Sequence, residues 1–75
     1  MKTVTVMLDT ITKVKDFVNQ LLTISYDVDL VSGRYVIDAK SIMGIFSLDL
    51  SKPIELRIYS DDCDDLLEKL KPFLA

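Results

Sequence analysis

The residue types that carry most protein chemistry are scarce in this chain, which narrows what it can do. It has no histidine and one cysteine, Cys63. No serine or cysteine can therefore be activated by an imidazole base, the common partner of a hydroxyl or thiol nucleophile. One cysteine and no histidine also leave little to hold zinc or another transition metal, so no metal or cofactor is implied. The two glycines, Gly33 and Gly44, build no phosphate-cradling loop. Asp61, Asp62, Asp64 and Asp65 concentrate charge, but they lack the central glycine and the twelfth-position glutamate of a calcium loop. They read instead as the first turn of a helix, where the positive end of the dipole favours them. What remains is hydroxyl chemistry at helix starts. Thr10 and Ser41 each precede an apolar helical pattern and can accept a bond from an unpaired helix N–H. Lys40 sets a positive charge beside Ser41.

Composition limits the partners. Twelve acidic residues against nine basic ones give a formal charge of −3. Such a chain lacks the basic footprint of a nucleic-acid binder and the polybasic stretch of a protein drawn to anionic lipid. No apolar run approaches the roughly 18 residues needed to span a bilayer. Met1-Lys2-Thr3-Val4-Thr5-Val6 alternates like a strand and shows no secretory h-region. A single cysteine suits a reducing compartment, so a cytoplasmic protein is expected. With 75 residues, 49% of them hydrophobic, the chain can bury one small core as one domain.

The elements follow from where the apolar period switches between about 2 and about 3.6. Val4, Val6 and Leu8 alternate with Thr3, Thr5 and Met7, which predicts a strand over 2–8. Asp9 or Thr10 can cap the first helix, whose stripe is Ile11, Val14, Phe17, Val18 and Leu21. Tyr26, Val28 and Leu30 predict a second strand over 25–31. Ser32-Gly33 makes the turn into a third strand over 34–38. Asp38 to Phe46 holds one to two helical turns, capped by Asp38 or Ser41. Ile54, Leu56 and Ile58 define a fourth strand over 53–59. Ser60-Asp61 opens the last helix, whose stripe is Cys63, Leu66, Leu67 and Leu70, and Pro72 should end it.

The order is βαββαβα, an α+β domain with an antiparallel or mixed sheet and helices on one face. A ferredoxin-like βαββαβ domain with an extra helix is the rival. It needs a second helix long enough to cover the sheet, and the Asp38–Phe46 segment is too short for that.

Lys40-Ser41-Ile42-Met43-Gly44-Ile45-Phe46-Ser47-Leu48 resembles the regulatory-serine segment of HPr phosphocarriers, above all those of Gram-positive bacteria. It lies after a hairpin and before a strand, as in that family. The Pro53-Ile54-Glu55-Leu56 strand and the leucine-rich last helix are also similar, so the resemblance covers roughly residues 2 to 74. It implies one HPr-like domain over 1–75: an open-faced β-sandwich with four antiparallel strands and three helices on one face.

The family's other signature departs. Its Leu-His-Thr-Arg-Pro-Ala-x-x-Phe-Val is matched at Phe17-Val18, and counting back puts Thr10 at the histidine, Thr12 at the arginine and Lys13 at the proline. Phosphoryl relay needs an imidazole nitrogen that is nucleophilic near neutral pH. A threonine hydroxyl with no base beside it cannot replace it, so the chain is not expected to be an enzyme or to carry phosphohistidine.

The resemblance implies a protein partner in or beside the phosphoenolpyruvate-dependent sugar phosphotransferase system. Lys13, Lys40, Ser41, Met43 and Phe46 are the docking candidates. Ser41 would be the site of an HPr kinase, and the modified protein would bind a transcriptional regulator. Each candidate also has a plain reading. Ser41 and Thr10 cap helices, Lys13 is a solvated charge, and Met43 and Phe46 complete the core, with Phe46 less buried than Ile42. Cys63 is a small core residue. Three functions follow: a protein-binding module without phosphotransfer chemistry, a co-regulator switched at Ser41, or an orphan structural domain that has lost the pathway.

Overall fold

The sequence alternation becomes a four-stranded antiparallel sheet in the computed structural model, which describes residues 1–75. In chain order the elements are β1 (Lys2–Val6), α1 (Ile11–Leu21), β2 (Val28–Ser32), β3 (Tyr35–Asp38), α2 (Ile42–Phe46), β4 (Ile54–Ile58) and α3 (Asp64–Leu70), with a final 3-10 turn at Lys71–Phe73. The strands lie in the order β1-β4-β2-β3, and every neighbouring pair is antiparallel. No helix is long and apolar enough to cross a membrane.

One face of the sheet is dry. Val28 and Leu30 on β2, and Ile54, Leu56 and Ile58 on β4, are buried, while the residues between them are half-buried. That period of two puts the apolar set under the helices and the polar set on the other face. Val14, Phe17, Val18 and Leu21 of α1, Ile45 of α2, and Leu66 and Leu70 of α3 close the core from the helical side. Phe17 meets Phe73 edge to face, with ring centroids 5.7 Å apart and planes at 76°. Every buried residue is apolar, so no buried polar group needs a partner. Cys63 is among them, as its position on the stripe implied.

Several boundaries differ from the sequence reading, each for a local reason. β1 stops at Val6 because the Met7 N–H turns to the Phe73 carbonyl (2.7 Å) rather than to β4. Leu8, beyond the strand, is still buried. β2 starts at Val28, so Tyr26 precedes it, although the Asp27 carbonyl still accepts from the Tyr59 N–H (3.0 Å). Ile11 leaves the buried stripe and is 64% exposed. It is the first residue of α1, and nothing packs over the helix at that end. α3 begins later than its acidic run. Cys63 precedes it without a side-chain cap, and only Asp64 and Asp65 fall in the first turn. Ser60 and Asp62 form a turn ahead of it, with the Asp62 N–H donating to the Ser60 hydroxyl (3.2 Å). Pro72, which has no N–H to continue an α-helix, sits in the 3-10 turn that follows Leu70. α2 spans five residues, far short of what the ferredoxin-like alternative requires.

Candidate functional site

Two short polar side chains start the two helices that carry the candidate residues. Thr10 is extended (φ −132°, ψ 155°), and its Oγ1 accepts from the Lys13 N–H at 3.1 Å. Lys13 pairs through its ammonium with Asp9 (3.1 Å), an i,i+4 contact at the surface. Thr10 is exposed, and its only side-chain bond is the cap. The chain has no histidine to take its proton, and the neighbouring Asp9 carboxylate is paired with Lys13.

Ser41 does the same work for α2. It is extended (φ −94°, ψ 102°), exposed, and accepts from the Gly44 N–H at 3.3 Å. At the other end the Ser47 hydroxyl donates to the Gly44 carbonyl (2.6 Å). Of the two residues that could have capped this helix, Asp38 is used otherwise: its Oδ1 accepts from the Lys40 N–H (2.9 Å). Gly44 lets the short helix lie close to β3, since a Cβ there would come within 3.3 Å of both Ile37 Cδ1 and Ser41 Oγ.

The apolar residues of α2 divide by direction. Ile45 is buried and anchors the helix, while Ile42 is half-buried. Met43 is 77% exposed and Phe46 41% exposed, so Phe46 is the less buried of the Ile42–Phe46 pair. Ser41, Met43 and Phe46 thus share one helix and one accessible surface. Lys40 is tied elsewhere: its ammonium donates to the Ile24 carbonyl (3.1 Å), in the turn after α1. Thr10 and Lys13 form a separate group at the start of α1, and no hydrogen bond or ion pair joins the two groups.

The open face of the sheet carries a polar arrangement that the sequence reading passed over. Register places Thr3, Arg57, Asp29 and Asp38 in one row across all four strands. Asp27, Asp29, Asp38 and Tyr59 line a shallow recess there. Hydrogen bonding toward Asp29, then burial and the carboxylate's charge, raises the Tyr59 phenol above its ordinary pKa. The Arg57 Nε–Glu55 contact (2.7 Å) raises the guanidinium further. Near α3, burial followed by Cys63, Asp62 and Asp65 raises the Tyr26 phenol. The signal was present in Asp27 and Asp29, which alternate with Val28 and Leu30 and must share the outer face.

No known family model matches the chain. No curated protein matches it either. Solved structures do. HPr-C-His from Thermoanaerobacter tengcongensis is 27% identical with a TM-score of 0.77, over 93% of this chain and 86% of that one. A phosphocarrier protein HPr from Bacillus anthracis str. Ames is 26% identical with a TM-score of 0.72, over 99% and 94% respectively. The fold is therefore that of HPr: an open-faced βαββαβα sandwich with three helices on one face.

Proposed function

We propose that the chain is a non-catalytic, HPr-like protein-binding module related to the sugar phosphotransferase system, unable to carry phosphohistidine. The observation that carries this reading is α2: it presents Met43 and Phe46 to solvent in a chain with no histidine. Large apolar side chains exposed side by side on a rigid element suit a protein partner, because burying them releases about 25 cal/mol per Å². Ser41 lies at the start of the same helix, whereas Lys13 is paired with Asp9 at the start of α1 and the Lys40 ammonium is bound to the Ile24 carbonyl, so Ser41, Met43 and Phe46 are the centre of the candidate docking set.

The test has two arms. Incubation with labelled phosphoenolpyruvate and the first enzyme of the phosphotransferase system leaves the chain unlabelled. Titration of the chain into purified phosphotransferase proteins and an HPr kinase gives binding that is lost in Met43→Asp/Phe46→Asp. Label on Thr10, or binding indifferent to both substitutions, refutes the proposal.

A second reading, a co-regulator switched at Ser41, is supported by one observation: the Ser41 hydroxyl is an exposed helix cap. A phosphate there would meet the α2 N–H groups and sit beside Met43, altering the same surface. An HPr kinase with labelled ATP should then modify the wild type and not Ser41→Ala. Absence of incorporation reduces Ser41 to a cap.

A further inference from the structure

The two edges of the sheet are finished differently. Along the outer side of β1 the chain's last residues run as a cover. The Met7 N–H donates to the Phe73 carbonyl (2.7 Å), the Ala75 N–H donates to the Thr5 carbonyl (3.0 Å), and Leu74 bridges to Val6. Along β3 no strand pairs with the outer side. Exposed edges are usually blunted by lysine, proline or a bulge. Tyr35–Asp38 has no lysine, proline or bulge, only its four-residue length and the charge of Asp38 to blunt it, and Tyr35 and Val36 are 69% and 56% exposed.

The hairpin fixes which groups face outward. Tyr35 pairs with Ser32 and Ile37 with Leu30, and the Ala39 N–H donates to the Val28 carbonyl (3.0 Å). Main-chain groups of residues 35, 37 and 39 therefore point to β2, and those of Arg34, Val36 and Asp38 point away from the sheet, the Asp38 carbonyl already accepting from the Ser41 N–H (3.0 Å). Side chains alternate as well. Ile37 lies opposite buried Leu30 on the helix side, while Val36 lies opposite Val31 on the open side. Asp38 lies directly opposite Asp29, a like charge, which is unfavourable at that distance. Neither Asp38 nor Arg34 has an ion-pair partner within the chain.

We infer that β3 is a self-association edge: two copies pair their β3 strands antiparallel about a two-fold axis through Val36, forming one eight-stranded sheet. In that register Val36 meets Val36, Tyr35 meets Ile37, and Arg34 meets Asp38. The Val36 N–H and carbonyl then face those of the other copy's Val36, and the Asp38 N–H faces the other copy's Arg34 carbonyl, while the Asp38 carbonyl already serves the Ser41 N–H. Symmetry makes the Arg34–Asp38 pair twice, and each guanidinium offsets the Asp29–Asp38 repulsion. Sliding the register by two residues keeps the main-chain pairing but parts arginine from aspartate, so charge selects the Val36-centred arrangement. A strand of four residues gives an interface below the standard size, so the dimer is weak and concentration-dependent.

Sedimentation velocity of the intact chain from micromolar to millimolar concentration tests this, with circular dichroism confirming that each variant folds. The wild type should shift from monomer to dimer across that range. Val36→Lys, which sets two ammonium groups face to face at the axis, should weaken association about tenfold or more. Arg34→Asp and Asp38→Arg should each do likewise. An equimolar mixture of those two variants should associate again, because each now carries the opposite charge to the other at both positions. A wild type that stays monomeric at millimolar concentration overturns the inference. So does a dimer unmoved by Val36→Lys, or a mixture no stickier than its components.

Discussion

Ser41→Ala separates the structural role of this serine from any regulatory one. The substitution removes the oxygen that accepts from the Gly44 N–H. Loss of such a cap costs about 0.5–2 kcal/mol. The 3.3 Å separation at Ser41 is longer than the 3.1 Å bond at Thr10, and both exceed the usual N–H···O distance of about 2.9–3.0 Å. Ser41 therefore belongs in the lower part of that range, at about 0.5–1 kcal/mol, and Thr10→Ala should cost more. In a domain of this size 1 kcal/mol moves the melting midpoint by about 4–8 °C, so Ser41→Ala should melt about 2–8 °C below the wild type. Five residues have no helical stability of their own. The Ile45 N–H, which donates to the Ser41 carbonyl (3.0 Å), should therefore exchange faster as well. Ser41→Asp keeps an acceptor of equal capping rank. It also places a negative charge at the positive end of the helix, worth about 0.3–1 kcal/mol. It should melt no lower than the wild type, and a phosphate should be tolerated in the same way. Circular dichroism melts and amide exchange measure both effects. A Ser41→Ala variant that matches the wild type in both, or a Ser41→Asp variant that melts as low as Ser41→Ala, would refute this role for the Ser41 hydroxyl.

Phe17→Ala removes a fully buried ring and its edge-on contact with Phe73; a loss of about 3–5 kcal/mol should leave a measurable unfolded fraction in urea titrations at low denaturant. Asp49 is held below the usual carboxylate range first by its bond from the Ser51 hydroxyl (2.6 Å) and then by the Ser51 N–H (3.1 Å). Because the folded pKa is depressed, this contribution is present above about pH 3.9 and fades as pH falls through the folded value; Ser51→Ala should raise the Asp49 midpoint in a carboxyl NMR titration, and an unchanged midpoint would contradict the assignment. Cys63 is buried, so a thiol reagent should label the native protein slowly and at a rate that tracks unfolding, whereas rapid labelling would mean that the α3 start is open.

What the sequence displayed was local. The caps at Thr10 and Ser41 could be read because a cap needs a short polar side chain and a helix three residues on. The inner faces of β2 and β4 could be read because burial on one face imposes a period of two. What it hid depends on residues far apart in the chain. Val6 ends β1 because Phe73 competes for the next N–H, a contact that no nearby residue announces. Ile11 fits the stripe of α1 by spacing, and only the absence of a covering element exposes it. The acidic run suggested a helix start at Ser60-Asp61, but its first members turn about Ser60 before the helix begins. Lys40 looked like a free charge beside Ser41, and its bond to Ile24 depends on where the α1 turn sits relative to α2.

Thr10 and Ser41 are the same device in different surroundings, and that difference decides which end of the helical layer a partner would favour. Around Thr10 one apolar side chain, Ile11, is exposed, but the groups about it are ionic: Lys13 already pairs with Asp9, and Lys15 and Asp16 are solvated on the next turn. A partner docking there would have to strip water from charges and would gain little, since exposed ion pairs are worth about 0–1 kcal/mol. Around Ser41 the exposed groups are Met43 and Phe46, which cost little to dehydrate and gain from every Å² buried. The thioether is also flexible enough to fit an irregular surface. On the proposed reading the chain has a usable docking surface without an imidazole, because Met43 and Phe46 are separate from the groups that phosphoryl transfer requires. On the proposed reading a phosphate on Ser41 would place a dianion at the rim of this apolar patch and charge the surface that a partner would bury.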